Sequence, residues 1–147
     1  MKRTAAREIA VRLCFSLLEN PLEPDVLLGQ AFGDEYYKTL KTEDNLYKEK
    51  PGAKQLGYIA ELIRGIHLHS AELDGYIDRH AVGWKFGRIS RTAVAIMKTA
   101  MYEVMYMPEI PSGAAINEAV EIAKNYDPPE TVSFINGVLG SFARGEL

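Results

Sequence analysis

Residues 92–107 read TAVAIMKTAMYEVMYM; of these sixteen only Lys98 and Glu103 carry charge, and no glycine or proline interrupts them. As a helix rising ~1.5 Å per residue, the run would be ~24 Å long. Ala93, Ile96, Met97, Ala100, Met101 and Val104 share one broad face, and Val94, Ala95 and Met105 lie beyond it. A helix apolar nearly all round is a buried one. Sixteen residues with two charges are too short and too polar to span a bilayer, which takes about 20 apolar residues. The run therefore predicts the buried central helix of an all-α domain that does not enter a membrane. Ser90 is placed to cap its start, and Pro108 with Pro111 stops it.

Other helices must wrap this one, and both flanks supply them. Arg3 to Glu19 places Ile9, Ala10, Leu13 and Leu17 on one stripe, with Phe15 and Leu18 at its edges. Pro21 and Pro24 break the chain, and Asp25 then predicts the cap of a second helix reaching about Thr42, with Leu28, Phe32, Tyr36 and Leu40 four apart. Gly29 and Gly33 weaken it. Residues 42–52, TEDNLYKEKPG, read as an exposed loop. Residues 54–79 form a long helical stretch, kinked or split near 65–70. Ser112 predicts the cap of a helix to Tyr126. Asp127-Pro128-Pro129-Glu130 predicts a capped start for the last one.

At 147 residues, with 47% hydrophobic and 25% charged content, the chain reads as a single domain, 1–147, long enough for a real core. The one cysteine, Cys14, excludes an internal disulfide and a cysteine metal cluster, and fits a cytoplasmic protein. MKRTAARE has no apolar h-region, so no secretory signal is expected. His67 and His69, two apart, fall on different helix faces, and His80 has no evident partner; no metal is expected. No glycine-rich phosphate loop, nucleophile motif or paired carboxylates occur, so neither an enzyme nor a cofactor is expected.

A net charge of −3 argues against coating nucleic acid by bulk charge. The charge is uneven, however. Residues 1–12 hold Lys2, Arg3, Arg7 and Arg12 against Glu8; residues 85–98 hold Lys85, Arg88, Arg91 and Lys98 with no acid; residues 19–49 hold eight acids and three lysines. Such segregation presents either one face to a polyanion or a set of solvated helix faces. Arg3 and Arg7 sit four apart at a helix start, where cations oppose the macrodipole by ~0.3–1 kcal/mol each. That placement suits a phosphate backbone, or is simply tolerated in solvent. Trp84, in the glycine-flanked turn GWKFG, is expected to close the core, although an aromatic beside Lys85 and Arg88 also suits a base. In the last helix Val132, Ile135, Val138, Leu139 and Phe142 share a face, and Phe134 lies roughly 100° off it. An off-stripe phenylalanine covers a second helix contact or serves as a stacking platform.

Residues 110–140, IPSGAAINEAVEIAKNYDPPETVSFINGVLG, carry a double motif: Ile116-Asn117-Glu118-Ala119-Val120-Glu121-Ile122-Ala123-Lys124, then Phe134-Ile135-Asn136-Gly137-Val138-Leu139. With Ala6-Arg7-Glu8, Leu73-Asp74, Trp84, Arg88-Ile89 and Tyr102-Glu103 in matching order, the whole chain resembles the NusB family of bacterial transcription antitermination factors. The resemblance implies an all-α fold of about seven helices in two packed subdomains. It implies a partner, the small-subunit ribosomal protein that acts as NusE. It also implies a single-stranded RNA, the boxA element of ribosomal RNA leaders, and an RNA polymerase antitermination complex that reads through terminators and supports rRNA maturation. RNA contacts carry over to Lys2, Arg3, Arg7, Phe134 and Asn136, and the resemblance favours the stacking role for Phe134. Thr4 and Ala5 stand where relatives have arginines, Lys98 and Thr99 replace an arginine and an apolar residue, and Gly140 replaces an aspartate. The alternative reading is a protein-only helical scaffold of the same fold with weak RNA binding, or a homodimer that covers its basic region. NusB-like domains also occur fused to RNA methyltransferases, but this chain carries no cofactor loop.

Overall fold

The computed structural model describes residues 1–147 apart from the side chain of Phe86. Among the described residues there are eight α-helices, two short 3-10 turns and no strand. The chain divides into two compact units, Met1–His67 and Leu68–Leu147.

In the first unit α1 is Arg3–Glu19, α2 Pro24–Ala31, α3 Asp34–Glu43 and α4 Ala53–Leu68, with a 3-10 turn at Asn45–Tyr47. Where one helix was expected after the prolines, two form. Their break falls at Phe32 and Gly33, and the N–H of Tyr37 closes on the Gly33 carbonyl at 2.9 Å. The break rotates the following face, so Tyr37 is buried at 3% exposure and Tyr36 stands out at 54%. Tyr37 Oη donates to the Glu49 carbonyl at 2.7 Å, which holds the 42–52 segment against α3. That segment is therefore tied down rather than free: Asp44 accepts the Leu46 amide, and Arg12 Nη1 reaches Asp44 at 2.7 Å. The expected Glu8–Arg12 pair forms at 3.4 Å. Asp25 does not cap α2. Glu23 is the N-cap residue and Pro24 the first helical one, while Asp25 accepts from Arg64 Nε on α4 at 2.8 Å.

In the second unit α5 is Ser70–His80, α6 Arg91–Tyr106, α7 Ser112–Ala123 and α8 Pro129–Glu146, with a 3-10 turn at Phe86–Arg88. The expected split of the long helical stretch falls at His69. The buried helix predicted from residues 92–107 is α6: every residue from 93 to 103 is buried, and α5, α7 and α8 all pack on it. Ser90 Oγ accepts the Ala93 amide at 3.1 Å, as expected of the cap. Ser112 is the first residue of α7 and Pro111 its uncapped N-cap; α8 likewise starts from Pro128 without a side-chain cap. In α8 Pro129 stands at the first helical position, where its missing N–H leaves one amide fewer to pair, so Asp127 is not needed there. Burial instead pushes the Asp127 carboxyl above its ordinary range.

Lys98 lies within α6 at 2% exposure. Its ammonium is held by Asp74 at 2.9 Å and Ser70 Oγ at 2.8 Å, both from α5. His80, expected to lack a partner, has two: Ser141 Oγ at 2.9 Å from Nδ1 and Glu146 Oε2 at 2.6 Å from Nε2. Among the described residues no helix is long and apolar enough to cross a membrane.

Candidate functional site

The cations of α1 divide by the partners they find. Arg12 is structural, bonded to Glu8 and Asp44 with its guanidinium 5.4 Å from the Tyr47 ring. Arg7 is buried at 4% exposure, its guanidinium 5.7 Å from the Tyr58 ring of α4. Arg3 stacks on that same ring at 3.9 Å and donates from Nε to Gln55 Oε1 at 2.8 Å. A guanidinium carries five donors, so this bond orients the group and leaves its terminal nitrogens for another acceptor. Lys2 is exposed at the N-cap position, and no acid occupies the first turn of α1. The amides of that turn and two cations thus sit together without an acidic side chain in the turn itself. A cleft of about 440 Å³ beside them is lined by Lys2 and Lys48 but also by Glu8 and Glu49, so its charge is mixed. A second cleft of the same unit, about 600 Å³ between α1, α2 and α3, is lined by no charged side chain.

In the second unit Phe134 is half-buried on α8, off the stripe of Ile135, Val138, Leu139 and Phe142, each at 3% exposure or less. Its ring centroid lies 4.8 Å from that of Trp84, with the planes 50° apart. Trp84 does not close the core; it is 54% exposed. The cause is local. Residues 81–84 make a tight turn in which the Trp84 amide bonds the Ala81 carbonyl at 3.0 Å and Gly83 takes φ 83°. Positive φ at the third position is the type II signature, open to glycine at no steric cost. The turn swings Trp84 outward onto Phe134. Asn136 is exposed, but it follows Phe134 by two residues and so points ~200° away around α8. The two are therefore not brought to one patch. Trp84 is the residue that its size misplaces; the signal for it was the pair of flanking glycines and the neighbouring cations.

The NusB family's sequence profile matches residues 4–144. The chain belongs to the NusB family. Among curated relatives, the "Transcription antitermination protein NusB" of Acetivibrio thermocellus is 36% identical over 147 residues, covering 100% of this chain and 92% of its own. That of Carboxydothermus hydrogenoformans is 36% identical over 149 residues, covering 97% and 93%. Among solved structures, NusB of T. maritima superposes with a TM-score of 0.80 at 23% identity, covering 99% of this chain and 92% of that one. At that identity the likeness speaks for the fold, which is the all-helical one described above.

Proposed function

We propose that this NusB-family chain is a transcription antitermination factor without catalytic activity. It works in the cytoplasm as one RNA-binding domain, residues 1–147. It binds single-stranded boxA-type RNA of ribosomal leader transcripts together with a NusE-type ribosomal protein. The complex it joins lets RNA polymerase read through terminators and supports rRNA maturation. The observation that carries this reading is the extent of family membership: the match runs from residue 4 to 144, and the curated relatives share the same function by name over nearly their full lengths.

Within that reading Arg3 and Lys2 neutralise phosphates, and Phe134 packs against a base. Arg7, buried against the same Tyr58 ring that Arg3 covers, supports the start of α1 rather than offering an open face. Asn136 acts from a different side of α8 and takes a separate contact. A second reading, the protein-only scaffold or homodimer, draws support from the same burial of Arg7 and from the engagement of Arg3 with Gln55 and Tyr58.

Fluorescence anisotropy of a labelled boxA-like RNA, with and without the NusE-type partner and against a scrambled RNA, separates the two. The RNA reading expects sequence-selective binding that tightens with the partner and weakens with salt. Arg3→Ala should flatten the salt dependence by ~0.7 in log–log slope, the share of one phosphate on a single strand. Binding of partner but of no RNA in any arm selects the scaffold.

A further inference from the structure

The turn at 81–84, the 3-10 turn that follows it and the first turns of α8 bring four different chemistries to one cleft of about 290 Å³. Trp84 supplies an indole, Phe134 a phenyl ring, Arg88 a guanidinium and Glu130 a carboxylate. We propose that this cleft is a single-nucleobase subsite that selects guanine. In it Trp84 gives the stacking face, Arg88 takes the phosphate of the same nucleotide, and Glu130 accepts from the Watson–Crick edge of the base. The proposal rests on the reading of the chain as a single-stranded RNA binder and adds to it a residue set and a base identity.

Ring geometry says how the base lies. At 4.8 Å and 50° the two rings already touch, so nothing fits between them. The outer face of Trp84 remains, at 54% exposure, with Phe134 as an angled wall. Contact with Phe134 and the Gly83 turn restrict the indole before any ligand arrives, which lowers the entropy lost on binding. Glu130 and Phe134 are four residues apart, hence on the same side of α8. Among the described residues neither Arg88 nor Glu130 makes an ion pair, although both line the cleft.

The unpaired charges decide the occupant. An apolar peptide would desolvate both, and an acidic one would meet Glu130. A nucleotide offers an anion to Arg88 and donors to Glu130. A carboxylate only accepts, and guanine presents two adjacent donors, N1–H and N2–H, on one edge; adenine, cytosine and uracil each present fewer. The cleft lies at the lower limit of small-ligand sites, about 300 Å³ upward, which suits one planar group.

Trp84 is the only tryptophan of the chain, so its emission reports the subsite directly. The full chain is titrated with an unlabelled single-stranded boxA-like RNA, reading Trp84 emission, and with the labelled RNA, reading anisotropy. A second RNA carries inosine in place of guanine, which deletes the N2 amino group. Expected are quenching that saturates together with anisotropy and weaker binding of the inosine RNA. Trp84→Ala should lose roughly ten-fold in affinity, within the range of one base–aromatic stack, and Trp84→Phe should recover most of it. Glu130→Ala, which removes the acceptor, should erase the difference between guanine and inosine. RNA binding without quenching, and unchanged in Trp84→Ala of native helicity, overturns the subsite and leaves the RNA reading standing. Equal binding of guanine and inosine RNAs overturns the base assignment. Absence of RNA binding in every arm removes the RNA reading and the subsite with it.

Discussion

Replacing Asp74 with alanine removes the anionic partner of a buried cation. Lys98 is 2% exposed and holds two polar contacts, Asp74 at 2.9 Å and Ser70 at 2.8 Å. At that separation and an effective dielectric of ~20, the attraction is at most about 6 kcal/mol. Asp74 keeps 40% side-chain exposure although the oxygen facing Lys98 is itself buried, so water screens only the outer half of the carboxylate. Breaking a buried pair by deleting one partner costs about 3–5 kcal/mol, and the screening places Asp74→Ala near the low end, about 3. In a chain of this size that lowers Tm by about 6–12 °C. Lys98→Met removes the charge itself from an apolar helix but leaves the buried Oδ1 of Asp74 facing methyl groups, while the rest of that carboxylate keeps its water, so it should cost less than Asp74→Ala, about 1–2 kcal/mol. Once Lys98 is methionine, Asp74→Ala should add almost nothing. Urea unfolding of the four proteins, followed by far-UV circular dichroism and by Trp84 emission, measures the cycle. Trp84 lies in the same unit as the pair, so its signal isolates that unit. A coupling below ~0.5 kcal/mol, or a Lys98→Met more damaging than Asp74→Ala, refutes the reasoning.

Burial pushes the Tyr37 hydroxyl up to about 12 from its ordinary 10. The stability this represents is complete below pH ~10 and is lost as pH rises through the folded value; Tyr106, hydrogen-bonded to Glu72, is also pushed up to about 12, so ultraviolet titration should find late tyrosines of which Tyr37→Phe removes one. Tyr37→Phe should also cost ~1 kcal/mol in denaturant melts, because the Glu49 carbonyl loses its donor. The Leu46 amide, with the Arg12 guanidinium second, holds the Asp44 carboxyl below its usual range. Its contribution is present above pH ~4 and fades as pH falls through the lowered value, so Asp44→Asn should flatten the acid limb of a stability–pH curve. A Cβ on Gly140 would meet only the flexible Arg144 guanidinium, at 3.3 Å. Gly140→Asp should therefore gain roughly 0.5–1 kcal/mol, from helix propensity and an i,i+4 pair, read as a higher Tm that high salt partly removes.

Helix α6 was legible because its signals are redundant: a run of sixteen residues, 92–107, with two charges and no glycine or proline, and a capping serine just ahead of it. The α2–α3 break was not, because Leu28, Phe32, Tyr36 and Leu40 keep their spacing straight through Gly33. A glycine weakens a helix without fixing where it ends; the rotation that buries Tyr37 in place of Tyr36 is decided by packing. Proline starts concealed the missing caps at Ser112 and Asp127. Within the candidate site, the off-stripe position of Phe134 followed from helical geometry alone. The burial of Arg7 did not, since charge counts treat every arginine alike and Tyr58 lies fifty-one residues away. Trp84 was hidden by its own bulk, which normally sends tryptophan inward; a single glycine φ reverses that here.

The two nitrogens of His80 face unlike groups, and that asymmetry has a consequence for acid conditions. Nε2 meets a carboxylate, so it carries a proton whether the ring is neutral or charged. Nδ1 meets the Ser141 hydroxyl, which gives a hydrogen to a neutral ring and accepts one from a charged ring. Only that hydroxyl hydrogen turns; every heavy atom keeps its place. A histidine is the side chain through which a helical protein most readily senses mild acidity. Here it is a pin through the ends of α5 and α8, with a partner on each ring nitrogen. Acid then reaches this joint through its carboxylate: the His80 and Arg79 hydrogen bonds hold Glu146 below its usual range, so its contribution fades at low pH as that of Asp44 does.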